Sequence, residues 1–115
     1  LETILSYLQM RDQYNVPLWM GESGENSNEW YEEAVKLLED NKIGWAWWTW
    51  KKMESGSGVY SIKAPAGYST LQQYWEHGGE KPDTAFAYDV MMQVAENALL
   101  ENCTLNGGVV QALIQ

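Results

Sequence analysis

Two short apolar runs separated by one helical period constrain this chain more than any other feature. Residues 16–21 (VPLWMG) are apolar throughout and 43–50 (IGWAWWTW) apolar but for Thr49, and residues 27–40 between them repeat at helical spacing. A run of this length bounded by proline and glycine reads as a buried strand. The aromatic residues of the second run favour strand as well. Neither run alternates apolar with polar, as expected when both faces of a strand are covered. Strand, helix and strand in that order imply parallel pairing through a right-handed crossover.

The flanking segments follow from the same rules. Residues 1–13 read as a helix with Ile4, Leu5, Tyr7 and Leu8 as its apolar stripe, ended by Asn15 and Pro17. Residues 22–28 are polar and contain glycine, so they form a loop. Asn26, three residues before Glu29, has capping-box spacing, and Ser27 is a second cap candidate. The spacing predicts Trp30, Ala34, Leu37 and Leu38 as the buried face of the central helix, with Glu32 and Lys36 as an ion pair on its surface. Residues 51–69 read as a long loop. Helices are predicted from Ser69 to Trp75, from Asp83 or Thr84 through the face Ala87, Val90, Met91, Val94 and Ala98, and over 108–114 behind an Asn106 cap. Leu1 opens directly in a helical pattern with no Met before it, so the chain reads as starting inside a longer polypeptide.

The 115 residues suffice for one modest core. A net charge of −9 argues against nucleic acid, whose phosphates require Lys and Arg, and against an anionic membrane surface. No run of about 18 apolar residues is present to span a bilayer. The single cysteine, Cys103, rules out an intrachain disulfide, and the single histidine, His77, makes a His-based metal site or Ser-His-Asp triad improbable. Seven Trp and seven Tyr are a heavy aromatic load. They suit either a core or the faces of sugars, whose axial C–H groups stack on flat rings while their hydroxyls seek polar partners.

Glu22 directly follows the first apolar run and so sits at the C-terminal end of a strand, the edge where parallel α/β architectures bind ligands. From the residues alone it reads as nucleophile, base, metal ligand or ordinary loop carboxylate, and Glu25 and Glu29 beside it are equally acidic.

The stretch VPLWMGESGENSNEW followed by IGWAWWTW resembles strands seven and eight of the (β/α)8 barrel of glycoside hydrolase family 5. The helical end from Lys81 is also similar to that of bacterial members. The resemblance covers nearly the whole chain and implies an α/β fold: the C-terminal portion of a TIM barrel, incomplete by itself. By that resemblance Glu22 is the catalytic nucleophile of a retaining β-glycan endo-hydrolase of the cellulase type. Trp48 is the floor of the sugar subsite beside it, and Trp45 and Trp47 turn outward to the helices. Lys52 and Glu54, after the second strand, are implied as ligands of sugar hydroxyls, although a solvated loop reads equally well for both.

The implied partners are a β-glycan polysaccharide and the remainder of the barrel, with no metal or organic cofactor. The implied location is extracellular, cell-surface or periplasmic. The chain departs from the family in lacking an Asn-Glu pair at a strand end for the general acid/base, since Asn28-Glu29 opens a helix. The His and Tyr that support the nucleophile would also precede Leu1. Two other classes stay open: a non-catalytic carbohydrate-binding module, disfavoured by the helical periodicity, and a structural α/β piece with every Trp in the core.

Overall fold

The first half of the computed structural model is the expected β-α-β unit. Residues 2–114 are described, so Leu1 and Gln115 lie outside the account. Helix α1 (Glu2–Tyr14) leads to strand β1 (Trp19–Met20), helix α2 (Asn28–Asp40) and strand β2 (Gly44–Trp45). β1 and β2 pair in parallel, with Trp19 opposite Gly44 and Met20 opposite Trp45. The regular strands are shorter than the apolar runs that contain them. Residues 43–50 form strand at Gly44–Trp45 and a single further bridge, from Trp48 to Gly24.

Helix α2 starts where its side chains can satisfy the free N–H groups of the first turn. Ser27 is the N-cap, and its Oγ accepts the Trp30 N–H at 3.2 Å. At the far end Asn41 caps with both backbone N–H and side-chain amide on the Leu37 carbonyl. The Arg11 guanidinium donates to the Asn41 carbonyl at 2.7 Å, tying α1 to the end of α2. The ion pair on α2 forms between Lys36 and Asp40 at 2.8 Å.

The buried face of α2 is Tyr31, Val35 and Leu38, rotated from the Trp30, Ala34, Leu37 and Leu38 face that periodicity favours. Both stripes run at helical spacing. What separates them is Tyr31, whose side chain is 0% exposed and whose hydroxyl is fully used. It accepts the Asn26 N–H at 2.8 Å and donates to the Ser57 carbonyl at 3.1 Å. Its ring meets Trp47 edge-on, with centroids 4.2 Å apart. Trp30 is left on the outside.

The segment 51–69 is not a plain loop. Strands β3 (Lys51–Met53) and β4 (Tyr60–Ile62) pair in parallel, and β5 (Thr104–Leu105) adds to β4 antiparallel. A parallel connection ordinarily takes a dozen or more residues. Here residues 54–59 suffice, because strands of three residues are only about 10 Å long and six extended residues reach about 20 Å.

Helices α3 (Tyr68–His77), α4 (Thr84–Asn97) and α5 (Gly107–Leu113) complete the chain. Asp83 caps α4 by accepting the N–H groups of Ala85 and Phe86. Asn106 stands at the start of α5 but makes no side-chain cap. Its amide instead donates to the Ser55 and Gly58 carbonyls and pins the 54–59 connection. Val59, Val109 and Ala112 close with Tyr31 into one core cluster, with Trp47 packed against it.

The outline is elongated, 59 × 30 × 20 Å. The radius of gyration is 19.4 Å, where a compact domain of this length has about 13 Å. Accessible surface is 8239 Å², roughly 30% above the ~6,400 Å² of a compact monomer of this mass. Trp19, Met20, Tyr7 and Leu5 are among the large apolar residues left exposed. No helix among the described residues is long and apolar enough to cross a membrane.

Tyr31→Phe keeps the ring but strands the Asn26 N–H and the Ser57 carbonyl. Urea unfolding is expected to show a loss of about 1–3 kcal/mol. Tyr31→Ala, which also opens a core cavity, is expected to cost about 3–5 kcal/mol.

Candidate active site

The ladder between the first two strands carries one irregularity, and it falls at Glu22. The amides of Gly44, Ala46 and Trp48 donate in turn to the carbonyls of Leu18, Met20 and Ser23, at 3.3, 2.9 and 2.6 Å. Donors advance by two residues each time, whereas acceptors advance by two and then by three. One extra residue is therefore accommodated between Met20 and Ser23, as in a β-bulge, a device that re-aims a side chain beside a binding site. In an unbroken ladder residue 22 would be the third acceptor. Ser23 takes that place and is buried, while Glu22 falls in the bulge with its carboxylate exposed.

Gly24 follows the bulge and bridges to Trp48. It has φ +145°, and a Cβ there would lie 1.7 Å from the Trp48 carbonyl oxygen. Only glycine permits this approach. The contact brings the end of the second run directly beside the residues after β1. Trp48 is 52% exposed, and its peptide bond to Thr49 is cis. Trp47 packs on Tyr31, and the Trp45 indole N–H donates to Glu39 of α2 at 2.9 Å. Those two rings face the helix, while Trp48 does not join the core.

Glu22 and Trp48 line one open cavity of about 330 Å³, together with Met20, Ser23, Glu25 and Trp30. Lys52 is not part of the lining, but its ammonium pairs with the Glu25 carboxylate, which is. Glu54 lies elsewhere. Its carboxylate accepts the Ala64 N–H at 2.6 Å and faces a separate concavity beside the start of α3. Two of the four residues named from the sequence thus line this cavity, Lys52 contacts one of its lining residues, and Glu54 does neither.

Glu25 and Trp30, with Met20, Ser23 and Gly24, line the cavity without being singled out from the sequence as site residues. The signal for Trp30 was present, since a cap at Ser27 puts it in the first turn of α2, next to the loop from β1. The signal for Glu25 was not, because its φ of +57° is set by the loop.

Glu29, also in the first turn, is held below its ordinary value of 4.5 by hydrogen bonds from its own backbone N–H and from the Ser27 hydroxyl, against a smaller opposing effect of desolvation. Among the described residues no group of three or more His, Cys, Asp or Glu could hold a metal ion. Comparison with family models, with curated proteins and with solved structures finds no match to this chain.

Two outcomes follow from this geometry. Gly24→Ala must push Trp48 away, and the expected cost is roughly 1–3 kcal/mol or more, with a changed near-ultraviolet circular dichroism from the displaced indole. The second concerns acid. Because the Glu29 value is lowered in the folded chain, its contribution to stability is present above pH 4.5 and is lost as pH falls through the lowered value. Carbon-detected NMR titration should place the Glu29 midpoint below 4.5, and Ser27→Ala should move it upward.

Proposed function

We propose that this chain is the nucleophile-bearing part of a retaining β-glycan endo-hydrolase, acting on a β-1,4-glucan or a related neutral β-glycan. The observation that carries the reading is the placement of Glu22. It stands on a bulge at the C-terminal end of a parallel strand, in one cavity with the half-exposed indole of Trp48. A carboxylate beside an open aromatic face supplies the nucleophile's half of such chemistry: the ring holds a pyranose by its C–H face while the carboxylate approaches the anomeric carbon.

In the proposed reaction a Glu22 oxygen attacks the anomeric carbon and the glycosidic C–O bond breaks. A second carboxylic acid protonates the leaving oxygen. That second group then takes a proton from water, and the water oxygen displaces Glu22 from the anomeric carbon. The two carboxyls of a retaining pair lie about 5–5.5 Å apart. The remainder of a barrel is proposed to supply the acid/base, in an extracellular, cell-surface or periplasmic setting. The elongated outline and the exposed apolar residues around β1 favour a chain that packs against further polypeptide.

A second reading is glycan binding without turnover, or a structural α/β piece. The wide opening of Trp48 to solvent favours binding over a purely structural role.

Glu22→Gln in the whole enzyme is expected to lower reducing-sugar release from soluble β-1,4-glucan by on the order of 10³-fold or more, with an unchanged unfolding midpoint. Activity near that of the unsubstituted enzyme would overturn the assignment. Binding that persists in both proteins, with no hydrolysis in either, would favour the second reading.

A further inference from the structure

The cavity at Glu22 has a wall that the nucleophile and its tryptophan do not explain. Trp30 projects from the first turn of α2 and is 42% exposed, although periodicity places it on the buried face. Its ring meets Tyr31 edge-on, with centroids 6.2 Å apart, and lines the same cavity as Trp48 from a different element. Its position is fixed locally, by the Ser27 cap on its own N–H.

Glu25 lines the cavity between the bulge and α2, and the ammonium of Lys52, from β3, pairs with it. Ser23 lines the cavity as well. Its side chain is nine-tenths buried, and among the described residues its Oγ has no hydrogen-bond partner. A buried hydroxyl in that state gains from any polar group that reaches it. Two indoles, the carboxylates of Glu22 and Glu25 and the Ser23 hydroxyl therefore surround about 330 Å³, near the lower end of the ~300–1,000 Å³ typical of ligand pockets, and the Lys52 ammonium meets this lining through Glu25.

We propose that Trp30 and the Glu25–Lys52 ion pair form a second, specificity-determining wall that binds one pyranose unit opposite Trp48 and selects neutral sugars over uronates. The inference deepens the glycan reading and rests on it. The rings supply apolar faces for the C–H groups of the sugar. The ion pair offers an acceptor and a donor side by side, matching a hydroxyl that both donates and accepts. The charge balance supplies the selection. Glu22 and Glu25 bring two negative charges against the single positive charge of Lys52, on a chain of net charge −9. A sugar carboxylate entering this space meets like charge, and rejection by repulsion is a standard route to specificity.

The test measures binding to the whole enzyme by isothermal titration calorimetry, with thio-linked cellotetraose, which resists hydrolysis, and its C6-oxidised uronate counterpart. The unsubstituted enzyme is expected to favour the neutral ligand by about tenfold or more at low salt, with the preference shrinking as salt rises. Trp30→Ala is expected to weaken the neutral ligand by about tenfold at an unchanged unfolding midpoint, and Trp30→Phe to recover most of that loss. Glu25→Gln is expected to narrow the gap between neutral and uronate ligands.

If Trp48→Ala loses affinity while Trp30→Ala binds like the unsubstituted protein, the second wall is wrong and the glycan reading stands. If the uronate binds as tightly as the neutral sugar, the charge selection is wrong. If neither ligand binds the unsubstituted protein, the glycan reading falls and this inference falls with it.

Discussion

The buried hydroxyl of Tyr31 is the interaction on which the rest of this structure depends. A phenol with no solvent contact must find partners within the protein or lose more than it gains from burying its ring. Here it finds two, on segments 31 residues apart in sequence, the Asn26 amide and the Ser57 carbonyl. One bond fixes the loop after β1 and the other fixes the connection between β3 and β4. The ring meanwhile holds Trp47 edge-on and closes the core with Val59, Val109 and Ala112. Asn106 reinforces the same connection from the start of α5. A single side chain thereby aligns both sheets.

The candidate site inherits its geometry from that alignment. With Trp47 held against Tyr31, the next residue is carried away from the core, and Trp48 opens to solvent. Gly24 lets the two runs approach backbone to backbone, and the extra residue of the bulge takes Glu22 off the ladder. The result is two carboxylates and two indoles around one opening, drawn from the loop behind β1, α2 and the end of the second run, with the Lys52 ammonium of β3 paired to one of the carboxylates. None of these groups is unusual alone. Their convergence at the C-terminal end of parallel strands gives the cavity its chemical character.

The apolar surface around β1 and α1 is a second constraint. Trp19 and Met20 stand on a two-stranded sheet with open edges, and Leu5 and Tyr7 are exposed on α1 beside them. Water disfavours apolar area of this kind by roughly 25 cal/mol per Å². Unpaired strand edges add backbone groups that seek partners. Both forces act in one direction, toward covering this side of the molecule. The core cluster around Tyr31 forms where α2 meets α5.

The sequence by itself determined the local elements. The apolar runs set β1 and β2, and Ser27 and Asp83 set the starts of α2 and α4. It also put Glu22 at a strand end and Trp48 near it, because a parallel pair places both C-terminal ends side by side. Only the tertiary structure decided which stripe of α2 is buried, since two stripes have helical spacing and the partners of the Tyr31 hydroxyl lie far along the chain. It likewise decided that 51–69 holds two strands, because three-residue strands carry no periodicity to read. Glu25 and Trp30 joined the cavity, and Glu54 left it, through backbone angles and packing that no local pattern encodes. Periodicity reports what a segment does with its own hydrogen bonds, and it is silent on which distant segment it will meet.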